Sequence, residues 1–320
     1  MEGAWTRRPA TAVSRLSGRP LLLLSARDLL AAAEEEGLLL VALIAPAPAA
    51  SAGFARAARD AGAPLLLSRP SGAADEVGPE EARDDAAFVA AALKSADELR
   101  FHGPLALLKE PPRAGSAVPE GERIQREIDA GFTGVAMATT PESAPAARDA
   151  ALVASHVCRL ELGLEIVPLG GSGEVAAELV RQLKSRGAPP SAVRLADPEP
   201  GVAAELSPVA ISTTAEVDIE QLAGRGVRQL VAAGPFLRAL ERAAPRELLD
   251  TLQGWADERG ATLEQAAARH QRLLRELPPA QQEKLEALCC FEALELYARA
   301  SAAKTAARLV QRVATLAQKE

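Results

Sequence analysis

The sequence predicts a closed (β/α)8 barrel, and three observations carry that prediction. Eight short apolar runs recur along the chain, from LLLVALI (38–44) to VRQLVAA (227–233). They lack the alternation of a half-exposed strand, which is how strands covered on both faces read. Stretches of helical period rich in Ala, Leu, Arg and Glu separate most of the runs, and several stop at a glycine, as helix C-termini do. An open doubly wound sheet assembled from the same elements is the alternative.

The elements follow in order. SARDLLAAAEEEG (25–37) is an amphipathic helix with Ser25 placed to cap it, expected to plug the bottom of the barrel. The strands are LLLVALI (38–44), PLLLS (64–68), PLALLK (104–109), GVAMAT (134–139), LEIVPL (164–169), AVRLAD (192–197), PVAIST (208–213) and VRQLVAA (227–233). Helix candidates between them include FARAARDAG (54–62), EEARDDAAFVAAALKSADELR (80–100), ERIQREIDAG (122–131), PAARDAALVASHVCRLEL (145–162) and GEVAAELVRQLKSRGA (173–188). Only PEPGVAAEL (198–206) joins the sixth and seventh runs. A parallel crossover normally needs a dozen residues or more, so a shrunken helix or a loop is expected there. Beyond the eighth run the apolar spacing is helical, with breaks at Gly260 and at Pro278–Pro279. The chain therefore divides into a tail (1–21), a barrel (22–240) and a helical extension (241–320). The extension either covers the barrel's side or makes a homodimer.

Composition bounds the function. The 320 residues are 48% hydrophobic and 25% charged, enough to bury a core and stay soluble. Only 3% are aromatic, so Leu, Val, Ile and Ala must build that core. A net charge of −7 with no basic stripe argues against a nucleic-acid partner. Cys158, Cys289 and Cys290 make no CxxC pair and no disulfide framework, and a reducing cytoplasm is the expected location. LLLVALIAPAPAASA (38–52) imitates a signal-peptide core, but Glu34, Glu35 and Glu36 precede it where such a signal carries positive charge. No apolar run approaches the roughly 20 residues of a membrane span, so no membrane partner is expected.

Chemistry in such barrels gathers at the C-terminal ends of the strands. PLALLKEPP (104–112) places Lys109 and Glu110 there, and LEIVPL places Glu165 on the fifth strand. Lys109 reads as a Schiff-base lysine, as a partner of the adjacent Glu110, or as a simply exposed charge. PLGGSGE (168–174) reads in two ways. Gly170, Gly171, Ser172 and Gly173 make a phosphate cradle at a helix N-terminus, with Arg69 and Arg113 either an anion-binding rim or simple surface charges. Alternatively the segment is a tight turn with Ser172 as the cap and Glu174 in the first helical turn. His102, His156 and His270 all lie away from strand C-termini, so no three-histidine metal site is expected. Glu110, Glu165, Asp197 and Glu199 form a carboxylate-only set able to hold Mg²⁺ loosely, or are solvated loop residues. Cys289–Cys290, in ALCCFEALEL, read as packing residues.

From about Leu22 to Arg238 the chain resembles the class II, metal-dependent fructose-bisphosphate/tagatose-bisphosphate aldolases. SARDLLAAAEEEGLLLVALI is similar to that family's opening helix and first strand, and AGFARAARDAGAPLLLSRPSG to its first crossover and second strand. EIDAGFTGVAMATTPES resembles its fourth-strand segment, LEIVPLGG its fifth strand and the following loop, and GRGVRQLVAAGPFLRAL its eighth strand and last helix. The resemblance implies reversible aldol cleavage of a ketose bisphosphate. It also implies zinc held by histidines at strand ends, a proton-exchanging aspartate on the third strand, and phosphate-binding glycine loops after the late strands.

This chain departs from that pattern residue by residue. The family's third-strand His-x-Asp-His falls on Leu108, Lys109, Glu110 and Pro111, where only Glu110 keeps an acidic group. The sixth-strand histidine falls in ADPEP (196–200), which contains none. The seventh-strand histidine and its Gly-Gly-Ser-Gly fall on Ser212, Thr213, Thr214, Ala215 and Glu216. The fourth-strand aspartate is Ala138, and the eighth strand's Asn-x-Asp-Thr is Val231, Ala232, Ala233 and Gly234. Glu165 and Gly170–Gly171 stay in register. The expectation is an aldolase-like barrel without zinc or other cofactor, acting as a scaffold, a regulatory subunit or a sensor of a small phosphorylated sugar. The alternatives are a repurposed metal-free enzyme using Lys109, Glu110 and Glu165, or a ketose-bisphosphate aldolase of carbohydrate metabolism.

Overall fold

A computed structural model of the chain describes residues 2–16, 18–71, 79–112, 119–139, 144–168, 173–198 and 205–318. The eight apolar runs are parallel strands: β1 (Leu40–Ile44), β2 (Leu65–Arg69), β3 (Pro104–Lys109), β4 (Gly134–Thr139), β5 (Gly163–Pro168), β6 (Ala192–Arg194), β7 (Ala210–Thr213) and β8 (Val227–Ala232). Each pairs with the next, β8 pairs with β1, and β3 meets β4 through Leu108↔Gly134 and Lys109↔Val135. That closure excludes the open sheet. The sixth crossover, at 198–206, lies mostly outside the described residues.

α1 (Ala26–Glu36) precedes the barrel, and α2 (Pro48–Ala61), α3 (Pro79–Glu98), α4 (Glu120–Ala130), α5 (Ala144–Arg159), α6 (Gly173–Ser185), α7 (Ile219–Leu222) and α8 (Gly234–Ala243) fill the outer layer. α1 starts where the sequence places it. The Ser25 hydroxyl accepts from the Arg27 N–H at 3.1 Å, and the helix ends on Gly37 at φ 64°, a left-handed conformation that glycine adopts without steric cost. α1 is the plug. Side chains are missing where it meets the sheet, since a Cβ on Gly163 or Gly134 would lie 2.6 or 2.7 Å from the Ala26 Cβ.

The pleat sorts the strands into two apolar layers. Leu40, Ala42, Ile44, Leu66, Ala106, Leu108, Ala192, Ala210 and Val231 pack inside the barrel with α1. Val41, Leu43, Leu65, Leu67, Leu105, Leu107, Val193, Ile211 and Leu230 pack outward against the helices. This phase decides which side every strand-end residue serves.

The extension comprises α9 (Arg246–Arg259), α10 (Leu263–Arg269), α11 (Gln271–Arg275), α12 (Pro279–Arg299) and α13 (Ala306–Leu316). It covers the barrel. α12 crosses α2 at backbone distance, where a Cβ on Gly53 would lie 2.8 Å from the Cys289 Cβ and closer still to the Glu286 carbonyl. Glu292 on α12 accepts from Arg238 and Arg242 on α8 at 2.6 and 3.0 Å. Cys289 and Cys290 are buried in this packing. α13 lies against the plug, with Arg308 and Arg312 paired to Glu36 at 2.7 and 2.6 Å. Residues 2–16 carry two short helices, joined to the plug by Arg7–Asp28 at 2.8 Å. Among the described residues, no helix is long and apolar enough to cross a membrane.

Candidate functional site

Inward-facing residues at the C-terminal strand ends converge on one guanidinium. Arg194, the last residue of β6, donates through Nε to Glu165 Oε1 at 3.0 Å and through Nη2 to Glu165 Oε2. This is the bidentate fork that a guanidinium makes with a carboxylate. Its Nη1 donates to Glu110 Oε2. Two hydroxyls also donate to these carboxylates. Ser68 of β2 donates to Glu110 Oε1 at 2.5 Å, and Ser212 of β7 donates to Glu165 Oε1. Backbone bonds hold Glu110 in place, its N–H donating to the Arg69 carbonyl at 2.9 Å and its own carbonyl accepting from the Ser71 hydroxyl at 2.5 Å.

One network therefore ties the ends of five strands, with the Arg194, Glu110 and Glu165 side chains each only 11% exposed. Burial works to lower the Arg194 pKa. The two carboxylates outweigh it and hold the guanidinium more firmly protonated than usual. Below the triad, a void of about 20 Å³ remains between Ala26, Leu30, Leu108, Glu165 and Gln229, room for about one water. The barrel is filled there. A hollow of about 800 Å³ sits at the opposite end, lined by Trp5, Leu22, His102, Val310 and Ala314 among others.

The sequence-predicted residues separate into three groups. Glu110 and Glu165 come together as described. Lys109 and Arg69 face the helix layer instead, because each is one residue out of phase with the inward Glu110 and Ser68. Both bind Asp85 Oδ1 on α3, Arg69 Nε at 2.6 Å and Lys109 Nζ at 2.8 Å, and all three are at least 95% buried. Arg69 also lies over the Phe88 ring at 5.6 Å. Beside them on α4, Glu127 is bonded to Arg123, and its carboxyl is pushed up to about 8 by burial, against the opposing pull of Arg123 and Lys109. Neither Lys109 nor Arg69 faces the mouth. Gly170, Gly171, Ser172, Arg113 and Glu199 lie outside the described residues, Gly173 begins α6, and Asp197 is exposed.

A second charged group was not legible as a site residue. At the N-terminus of α8, the Gly234 N–H donates to Glu216 Oε1 at 2.7 Å, and Arg238 lies 3.8 Å from the same carboxylate. An anion is favoured at that position, and the chain supplies its own.

The donors present do not fit the zinc of class II aldolases. His102 is exposed ahead of β3, His156 on α5 bonds Gln125 at 2.7 Å, and His270 stands edge-on to Trp255. None reaches the mouth, where the described residues bring together two carboxylates, two hydroxyls and a cation. Among the described residues, no group of three or more His, Cys, Asp or Glu is placed to hold a metal ion. Arg194 and the two serines were missed because a lone Arg in AVRLAD and single serines in apolar runs have no local partner. The available signal was that a cation inside a buried strand requires a facing carboxylate.

No protein-family model and no curated protein matches the chain by sequence. Solved structures do match. The YdjI aldolase from Escherichia coli K12 superposes with a TM-score of 0.62 at 13% identity, over 89% of this chain and 99% of that one. The fructose-bisphosphate aldolase Fba from Campylobacter jejuni gives 0.60 at 12% identity, over 88% and 96%. The chain has the aldolase-like barrel fold. At this identity the likeness establishes architecture, and the chemistry has to be argued from the mouth.

Proposed function

We propose that this protein is a class II aldolase-like barrel that performs no metal-dependent aldol cleavage and serves as a scaffold or regulatory subunit. The observation that carries this reading is the commitment of both inward carboxylates, Glu110 and Glu165, to the Arg194 guanidinium. A proton-exchanging carboxylate needs a free lone pair within reach of substrate. Here every oxygen of the two carboxylates already accepts a hydrogen bond, from Arg194, Ser68 or Ser212, and both groups are ion-paired to Arg194. The Glu216 carboxylate at the start of α8 supports the same reading, since it already satisfies a backbone donor that a substrate phosphate would use. Sensing of a small phosphorylated sugar at the glycine segment 170–173 is the variant of this role that retains a ligand.

The second reading is a ketose-bisphosphate aldolase, favoured by the names of the superposed proteins. A metal-free version using Lys109 as a Schiff base is disfavoured by that residue's position behind the sheet on Asp85. Metal analysis of the purified protein, run beside a fructose-bisphosphate cleavage assay, separates the two readings. The expected result is sub-stoichiometric zinc and no cleavage. Stoichiometric zinc with turnover would overturn the proposal. A melting-temperature screen against phosphorylated sugars then sorts sensor from scaffold, because a ligand bound only by the folded state raises Tm.

A further inference from the structure

We infer that Arg194 is the barrel mouth's own cation, a positioning residue that does covalently what a bound metal ion would do for Glu110 and Glu165. The inference deepens the proposed function and rests on it only for the meaning of the mouth. The geometry itself stands independently. Two carboxylates, Glu110 directly after β3 and Glu165 on β5, flank the Arg194 guanidinium, each 11% exposed, and among the described residues no other cation is bonded to either. Like charges so placed repel and are poorly solvated, so they need a positive charge between them. The guanidinium provides it with fixed geometry: a fork on Glu165, a single bond on Glu110, and a stem anchored in β6. β6 is the shortest barrel strand, Ala192–Arg194, and it ends on this residue. The cation is thus delivered by backbone register, through Val193↔Ile211 and Arg194↔Ser212, with no free ion to capture or lose.

This role differs from ordinary packing because it depends on charge, and two variants beside the wild type expose that difference. Wild-type Tm is expected to be the same in EDTA and in added zinc. Arg194→Ala is expected to lower Tm by on the order of 10 °C, since it strands two buried carboxylates. Millimolar methylguanidinium should recover part of that loss, while its neutral isostere N-methylurea should not. The triple variant Arg194→Met/Glu110→Gln/Glu165→Gln keeps the volume and removes all three charges, and it is expected to regain most of the lost Tm. It also tests the idea if Arg194→Ala fails to fold. A wild-type Tm that falls in EDTA would overturn the inference. So would equal rescue by both small molecules, or a triple variant no more stable than Arg194→Ala. Zinc-dependent cleavage would remove the proposed function while leaving these thermal outcomes to be read on their own.

Discussion

Replacing Asp85 by Asn removes one negative charge from behind β2 and β3 and leaves two cations without it. Asp85 Oδ1 accepts from Arg69 Nε at 2.6 Å and from Lys109 Nζ at 2.8 Å, with relative side-chain exposures of 5%, 3% and 1% for Asp85, Arg69 and Lys109. At such burial, removing one partner of an ion pair costs about 3–5 kcal/mol, because the remaining charge is neither paired nor hydrated. Both pairs share one oxygen, so the two losses do not add. Arg69 stays charged in the variant and, among the described residues, keeps the face of Phe88, 5.6 Å away. The expected cost of Asp85→Asn is therefore about 4 kcal/mol, a large part of the 5–15 kcal/mol typical of a folded domain. Urea unfolding would read it as a lower midpoint with an unchanged m-value. Lys109→Met is the control. It keeps the apolar stem, leaves Asp85 paired to Arg69, and should cost less than Asp85→Asn. A loss below about 1 kcal/mol for Asp85→Asn would refute the reasoning, and so would a larger loss for Lys109→Met.

Two further outcomes follow from the packing and from the titration of α4. Gly53→Ala places a methyl 2.8 Å from the Cys289 Cβ, with α12 backbone closer still, so α2 and α12 must part. Overpacking of this kind costs about 1–3 kcal/mol, and hydrogen exchange should show loss of protection concentrated in α12. Glu127 has its folded pKa raised to about 8 from an ordinary 4.5. Between those values the folded state keeps a proton that the unfolded state releases, so stability falls as pH rises from 4.5 to 8 and levels off above. The slope reaches at most about 1.4 kcal/mol per pH unit, and Glu127→Gln should flatten it in urea titrations across that window.

The eight runs, the Ser25 cap and the Gly37 stop were all legible because they are local: short apolar runs bounded by turn residues, a hydroxyl before a helix, a glycine after it. Glu110 and Glu165 were legible for a related reason, since each sits at or beside a strand whose C-terminal direction the barrel fixes. The facing of Lys109 was not. In strands covered on both sides, Leu107 and Leu108 are equally apolar, so the two-residue alternation that reveals which face is inward is absent from the letters. Adjacent strand residues must still point to opposite faces, so Lys109 and Glu110 were never able to line the same wall.

By itself the sequence determined the architecture, because burial on two faces writes itself into composition and spacing. It also determined that no imidazole stands at a strand end. Only the tertiary structure decided what stands at the mouth instead. Arg194 lies 84 residues from Glu110 and 29 from Glu165 along the chain, and closure of the sheet brings them within hydrogen-bond distance. An ion pair of that kind has no local signature, since its energy comes from burial and register that exist only after the barrel has closed.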